Sequence, residues 1–326
     1  MNYRKLGRTG LRISRFVLGT MQMGWIVNEE DSFKLLDAAL EAGITTLDTA
    51  DVYSKWGEGS YAGKSEEIIG RWFNDRGNRD DLVLATKVRG EMSEKPNDAG
   101  LSRTHILSSA DRSLNRLQTE WIDLYQSHSF DSDVPQEETL RAYTKLVEDG
   151  VVNYIGASNF AAAELVESFW VSDKYGLARY ESLQPPYSLA RRRDYEKHLE
   201  PVIKKHDLGV INYSPLGGGF LTGRYTKDST PDSKRAQTIT TRYAKERNFR
   251  IVESLKEIAE AHHATVPQIA LAWVLARETV TAPIIGVNSI DQLNQNLRAL
   301  EITLSTDDFD RLNTVSDWEE MDFLAR

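Results

Sequence analysis

Eight times along this chain a short apolar or β-branched run stops at a polar residue, and an amphipathic segment follows. The runs lie at 16–21, 44–47, 82–86, 122–126, 151–157, 180–183, 209–212 and 282–285. Val, Ile and Thr recur in them, as a buried pleated strand favours. The segments at 31–42, 65–73, 102–117, 137–148, 161–174, 194–206, 249–261 with 266–277, and 290–300 carry apolar residues at helical spacing. Strand then helix, repeated, predicts a parallel sheet with helical crossovers. Eight units in 326 residues predict an α/β fold, a single (β/α)8 TIM barrel in one domain spanning 1–326. An open doubly wound sheet is the runner-up. Before the first unit, 3–6 and 11–14 flank Gly7-Arg8-Thr9-Gly10 and predict a hairpin. The polar stretch 225–247 reads as a surface loop over the barrel mouth, and 305–326 as an appended tail.

In such a barrel the C-terminal ends of the strands converge on one mouth, where sites are built. Asp48 and Tyr53 follow the second predicted strand, Lys87 ends the third, and His128 follows the fourth. Each has a bland explanation. Asp48 could cap a helix, Tyr53 could be a half-buried aromatic, Lys87 a surface lysine and His128 a satisfied core histidine. Four titratable groups at three successive strand ends are harder to dismiss. Together they make coherent chemistry. A nearby ammonium lowers a phenol's pKa toward working pH, and an aspartate keeps that ammonium charged and in place. A neutral histidine can orient a carbonyl oxygen. That is a proton-donor site for carbonyl reduction, with Tyr53 as general acid.

The segments carrying these residues resemble the aldo-keto reductase superfamily along nearly the whole chain. They are LDTADVY around Asp48 and Tyr53, ATKV around Lys87, IDLYQSH ending in His128, and IGASNF around Ser158 and Asn159. They continue as LQPPYSL around Gln184, NYSPLGGGFLTGRY at 212–225, and IIGVNSIDQLNQN at 284–296. The resemblance implies a catalytic tetrad of Asp48, Tyr53, Lys87 and His128. It also implies a nicotinamide cofactor, usually NADP(H), extended across the mouth. Ser158, Asn159 and Gln184 resemble residues that hydrogen-bond the carboxamide, and Tyr213 the aromatic that stacks on the nicotinamide. Gly19, Thr20 and Met21 fall beside the same site. Ser214, Pro215, Leu216 and Gly217 lie where backbone meets the pyrophosphate, and Arg224 and Arg235 at or near phosphate positions. Gly286, Asn288, Gln292, Gln295 and Asn296 match the adenosine end. Many relatives carry a cation between Gly286 and Gln292, and this chain has none. Arg235 is therefore the candidate clamp for a 2′-phosphate, and NAD(H) stays open as the alternative cofactor. Trp25 and Trp56, with Tyr53 and His128, are candidates for the substrate wall.

Other classes are disfavoured. The net charge of −9 argues against nonspecific binding to nucleic acid or acidic membranes. No cysteine is present, which excludes thiolate metal sites and cysteine nucleophiles. No other metal site is expected. No run approaches the roughly 18 apolar residues of a membrane span, and no signal peptide is visible, so a cytoplasmic protein acting on a small carbonyl substrate is expected. His262 and His263 are adjacent and read as solvated. Two alternatives compete. A hydrolase could use Asp48 and Asp51 as a carboxylate pair, which leaves Lys87 without a job. A cofactor-binding regulatory protein is also possible, because potassium-channel β subunits resemble the same superfamily. Their pattern lacks the histidine that stands here as His128, which favours an enzyme.

Overall fold

The computed structural model describes residues 2–318. Strands β1 (Tyr3–Lys5) and β2 (Arg12–Ser14) pair antiparallel as the hairpin. Gly7 turns it at φ +53, a left-handed conformation open to glycine. Eight parallel strands follow: β3 (Val17–Gly19), β4 (Thr46–Asp48), β5 (Val83–Val88), β6 (Ile122–Ser127), β7 (Val152–Ser158), β8 (Tyr180–Gln184), β9 (Gly209–Val210) and β10 (Ile284–Gly286). They pair in the order β10-β3-β4-β5-β6-β7-β8-β9. Backbone bonds from Thr281 and Ala282 N–H to the Val210 carbonyl, and from Ile284 N–H to the Asn212 carbonyl, join the two ends. This is the predicted (β/α)8 barrel. The predicted strands were right to within a residue or two at most ends, and β9 is shorter than its apolar run.

Helices α1 (Glu29–Glu41), α2 (Lys64–Arg76), α3 (Arg103–Leu117), α4 (Gln136–Glu148), α5 (Ala162–Tyr175) and α6 (Glu200–His206) connect the strands. Local chemistry sets their starts. Asn28 caps α1 by accepting from Asp31 N–H, and Ser102 caps α3 by accepting from His105 N–H. The second half adds α7 (Ala236–Tyr243), α8 (Glu246–Ala261), α9 (Val266–Leu275), α10 (Ile290–Leu297) and α11 (Thr306–Val315). The core has two layers. Between helices and sheet lie side chains such as Leu35, Ile68, Trp72, Leu140, Tyr143 and Trp273. Inside the barrel Val17, Ala85, Leu124, Ile211 and Ile284 meet Leu6 and Ile13 of the hairpin, which plugs the bottom end. A closed bottom leaves the C-terminal strand ends as the place where side chains of different strands meet open space.

Three expectations need correcting. The stretch 225–247 is not a bare loop, because it folds into α7 and the start of α8. Ile239 and Tyr243 lie one turn apart and are buried, and the Phe220 ring meets those of Tyr225 and Tyr243. A few apolar residues at helical spacing outweigh the polar composition around them. Nor is 305–316 a loose tail. Ser305 caps α11, Leu312 is buried, and Asn313 bonds to Trp273 and Arg192. Residues 319–326 of the expected tail lie outside the described residues. His262 is not simply solvated, since its Nε2 stands 2.9 Å from Asp308 Oδ2 and ties α8 to α11.

Candidate active site

The strand ends bring the four titratable side chains together. Asp48 is the last residue of β4, and Lys87 the fifth of β5, with 0% exposure. Lys87 Nζ donates to Asp48 Oδ2 at 2.6 Å, to the Thr49 carbonyl at 2.8 Å and to Tyr53 Oη at 2.9 Å. An ammonium has three donors, and all three are used. The Tyr53 oxygen therefore accepts from Lys87, and its own proton remains to be given elsewhere. Asp48 Oδ1 accepts from Gln184 Nε2 at 2.7 Å and from Gln126 Nε2 at 3.4 Å. Removing one partner of such a buried pair leaves an uncompensated charge, at a cost of about 3–5 kcal/mol.

His128 follows β6, its N–H bonded to the Val88 carbonyl at 2.9 Å. Its ring stands edge-on to Tyr53, centroids 5.9 Å apart. Burial, then the charges of Lys87 and Arg89, push its pKa down to about 3, so the imidazole is neutral. Tyr53 departs from expectation. Burial pushes its phenol above the usual value, and the opposing pull of Lys87 does not prevail. Burial is the largest effect, and Asp48 beside Lys87 adds to it, its negative charge offsetting part of the ammonium's field at the phenol. In this state Tyr53 is a protonated donor.

The residues matched to a cofactor fall around this group. Ser158 ends β7 and its Oγ donates to the Gln184 carbonyl at 2.9 Å. Asn159, at φ +56, donates from Nδ2 to the His128 carbonyl and to Ser158 Oγ, and accepts the Tyr213 hydroxyl at 2.8 Å. Those bonds fix the half-buried Tyr213 ring beside the mouth. After Ser214, Pro215 and Leu216, residues Gly217, Gly218 and Gly219 run at φ +59, +68 and +112. Only glycine adopts such a run freely, and it leaves the backbone bare. A Cβ on Gly219 would meet nothing within 4 Å, and one on Gly218 would lie 3.6 Å from Arg235 Nη2. A fixed ring, an open glycine turn and a guanidinium above it are features that a nicotinamide dinucleotide would fit.

Other matched residues have structural work of their own. Gly19 and Gly286 pair across β3 and β10, and side chains there would collide with Ile284 and Gln22. Thr20 Oγ1 donates to the Asp48 carbonyl, while Met21 is half-buried beside it. Arg224 is exposed and touches Thr222. Gln292 holds the Asn288 N–H at 2.9 Å, Gln295 is exposed, and Asn296 is buried. Trp25 and Trp56 meet edge-on at 5.9 Å, and Trp56 meets Tyr53 at 6.1 Å, so the three rings form one aromatic wall. Sequence reasoning missed Gln126, whose only signal was its place near the end of β6. The disfavoured hydrolase reading had paired Asp51 with Asp48. Asp51 is fully buried and faces the helix layer near Glu66, which removes support for a hydrolytic pair with Asp48.

Comparison with known proteins shows the family. A relative from Bacillus subtilis, named "Uncharacterized oxidoreductase YrpG", is 40% identical over 97% of this chain and 96% of its own. One from Oryza sativa subsp. japonica, named "Probable voltage-gated potassium channel subunit beta", is 33% identical over 93% of this chain and 92% of its own. The model of the aldo/keto reductase family matches residues 15–317. With that match spanning every barrel strand, the chain belongs to the aldo/keto reductase family, a family of oxidoreductases.

Proposed function

We propose that this protein reduces aldehydes or ketones to alcohols with NADP(H), with NAD(H) as the alternative cofactor. The observation that carries the reading is the Lys87 ammonium bonded at once to Asp48 and to the Tyr53 hydroxyl. The bound reduced cofactor supplies the hydride. The neutral His128 imidazole orients the carbonyl oxygen by hydrogen bonding. Tyr53 gives its proton to that oxygen, and Lys87 stabilises the phenolate left behind. Asp48, held by Gln184 and Gln126, keeps Lys87 charged and aimed. The Trp25–Trp56 wall covers one side and limits water. Following NADPH absorbance with a panel of aldehydes tests the reading, and no turnover with any of them would defeat it.

A second reading is regulatory, favoured by the likeness to a protein named as a channel β subunit. It predicts tight dinucleotide binding without useful turnover, so the same assay separates the two.

Two predictions concern the cofactor. Tyr213→Ala is expected to weaken dinucleotide binding while the pH dependence of turnover stays as it was. The ring offers a stacking face worth about 0.5–1.5 kcal/mol and no proton. A fluorescence titration giving an unchanged Kd would remove the ring from the nicotinamide. Arg235 lies over the glycine turn, which the family resemblance matches to the pyrophosphate that both dinucleotides share. Arg235→Ala should therefore weaken NADPH and NADH alike, by roughly 1.5–3 kcal/mol. Loss confined to NADPH would return Arg235 to the 2′-phosphate role expected from sequence.

A further inference from the structure

Arg89 stands two residues beyond Lys87 and has no part in the chemistry above. Its backbone is held at φ +136, where an L side chain is strained by about 1–3 kcal/mol. Two bonds fix it there: its carbonyl accepts the Gly100 N–H at 3.1 Å, and its Nε donates to the Phe130 carbonyl at 3.1 Å. Phe130 is two residues past His128, and His128 N–H is bonded to Val88, the residue before Arg89. The guanidinium therefore lies beside the 128–130 turn, close enough for its charge to depress the His128 imidazole.

Among the described residues nothing pairs with the rest of that guanidinium. Its two terminal nitrogens make no hydrogen bond or ion pair among the described residues. Asp51 meets the backbone N–H of Arg89 and not its guanidinium, and the acids of the neighbouring loops have partners of their own: Glu91 with Lys55, Asp98 with Arg112, and Asp131 with the Leu101 N–H. Its terminal nitrogens reach solvent, so the guanidinium is open to a ligand, while the left-handed backbone is costly and glycine would relieve the strain. Such an arrangement suits a group that meets its partner only when a ligand arrives. Two parallel N–H donors match a carboxylate.

We propose that Arg89 anchors the carboxylate of the substrate, and that the protein prefers aldehydes or ketones carrying a carboxylate on an aromatic or apolar body. This rests on the reductase reading. The carboxylate sits on Arg89, the carbonyl oxygen on Tyr53 and His128, and the body between them against Trp56 and Trp25. Only the carbonyl is reduced, and the carboxylate is unchanged.

The test compares kcat/KM for 3- and 4-carboxybenzaldehyde with their methyl esters, using NADPH. The wild-type protein should prefer at least one acid over its ester by roughly 10- to 100-fold, the range of a charge-assisted pair. Arg89→Gln should bring that ratio near one, and Arg89→Lys should retain part of the preference. Arg89→Gly should lose the preference without lowering the thermal midpoint. A wild-type ratio near one, or equal loss on acid and ester in Arg89→Gln, overturns the proposal. Benzoate binding, read by tryptophan fluorescence, gives a separate measure. Benzoate binding that depends on Arg89, without turnover of any aldehyde, would sink the reductase reading and leave the anion site standing. No such binding would remove the site.

Discussion

Replacing Tyr53 with phenylalanine should cut carbonyl reduction on the order of 10²–10⁴-fold, the usual worth of general acid catalysis, and leave dinucleotide binding unchanged. The substitution keeps the ring that meets Trp56 and His128 and deletes only the proton donor. It also strips Lys87 of one of its three acceptors. Asp48 and the Thr49 carbonyl still hold the ammonium, so the fold should survive. Single-turnover rates with NADPH and binding by fluorescence separate the two effects. Near-normal reduction in the variant would mean the proton comes from elsewhere, with His128 the next donor to examine. A large loss of cofactor affinity would mean that the hydroxyl organises the site rather than donating to substrate.

The second large effect is one of stability, and it concerns Asp51. Its side chain is fully buried, and neither oxygen makes a well-formed hydrogen bond. Burial, then the charge of Glu66, raises its pKa to about 8, while Arg116 and the N–H groups of Val52 and Arg89 pull the other way. Glu66 is itself taken by Arg116 and Thr86. Tyr125 and Tyr143 face Asp51 from β6 and α4 and bring no cation. The unfolded chain releases the Asp51 proton near pH 4, whereas the folded chain keeps it to about 8. Between those values the unfolded state binds fewer protons, so stability falls as pH rises. The accumulated cost at pH 8 is on the order of 3–5 kcal/mol. Asp51→Asn removes the titration and keeps the shape. The variant should match the wild-type protein near pH 4 and exceed it by a few kcal/mol near pH 8. Urea unfolding at both values, taken as a difference, cancels the other titrating groups. Equal differences at the two pH values would show that Asp51 is ionised in the fold.

The backbone at Asp51 is also tied to the site, and Asp51→Asn leaves that tie in place. Its N–H bonds the Lys87 carbonyl at 3.1 Å, on the same turn that carries Tyr53. A stabilised turn is not necessarily a better site, and stabilising substitutions near a site often cost activity.

Much of this protein was legible in its sequence. The eight strand and helix units, the hairpin and the presence of Asp48, Tyr53, Lys87 and His128 at strand ends are local properties. They follow from periodicity and position along a strand, and each can be read within a dozen residues. The barrel then carries every strand end to one mouth without further instruction. What the sequence left open depends on which distant groups meet. The helix at 236–243 forms because Ile239 and Tyr243 join the core, Tyr243 against the Phe220 ring, and α11 docks because Trp273 and Arg192 hold Asn313. The direction of the Tyr53 shift turned on the balance between burial and a lysine already neutralised by Asp48. Asp51 stood out in the sequence only as half of a disfavoured carboxylate pair, and Arg89 did not stand out at all. Only the fold made one a buried, unpartnered acid and the other a strained, half-free cation. Desolvation and the local field are sums over neighbours in space, and only the tertiary structure fixes which neighbours those are.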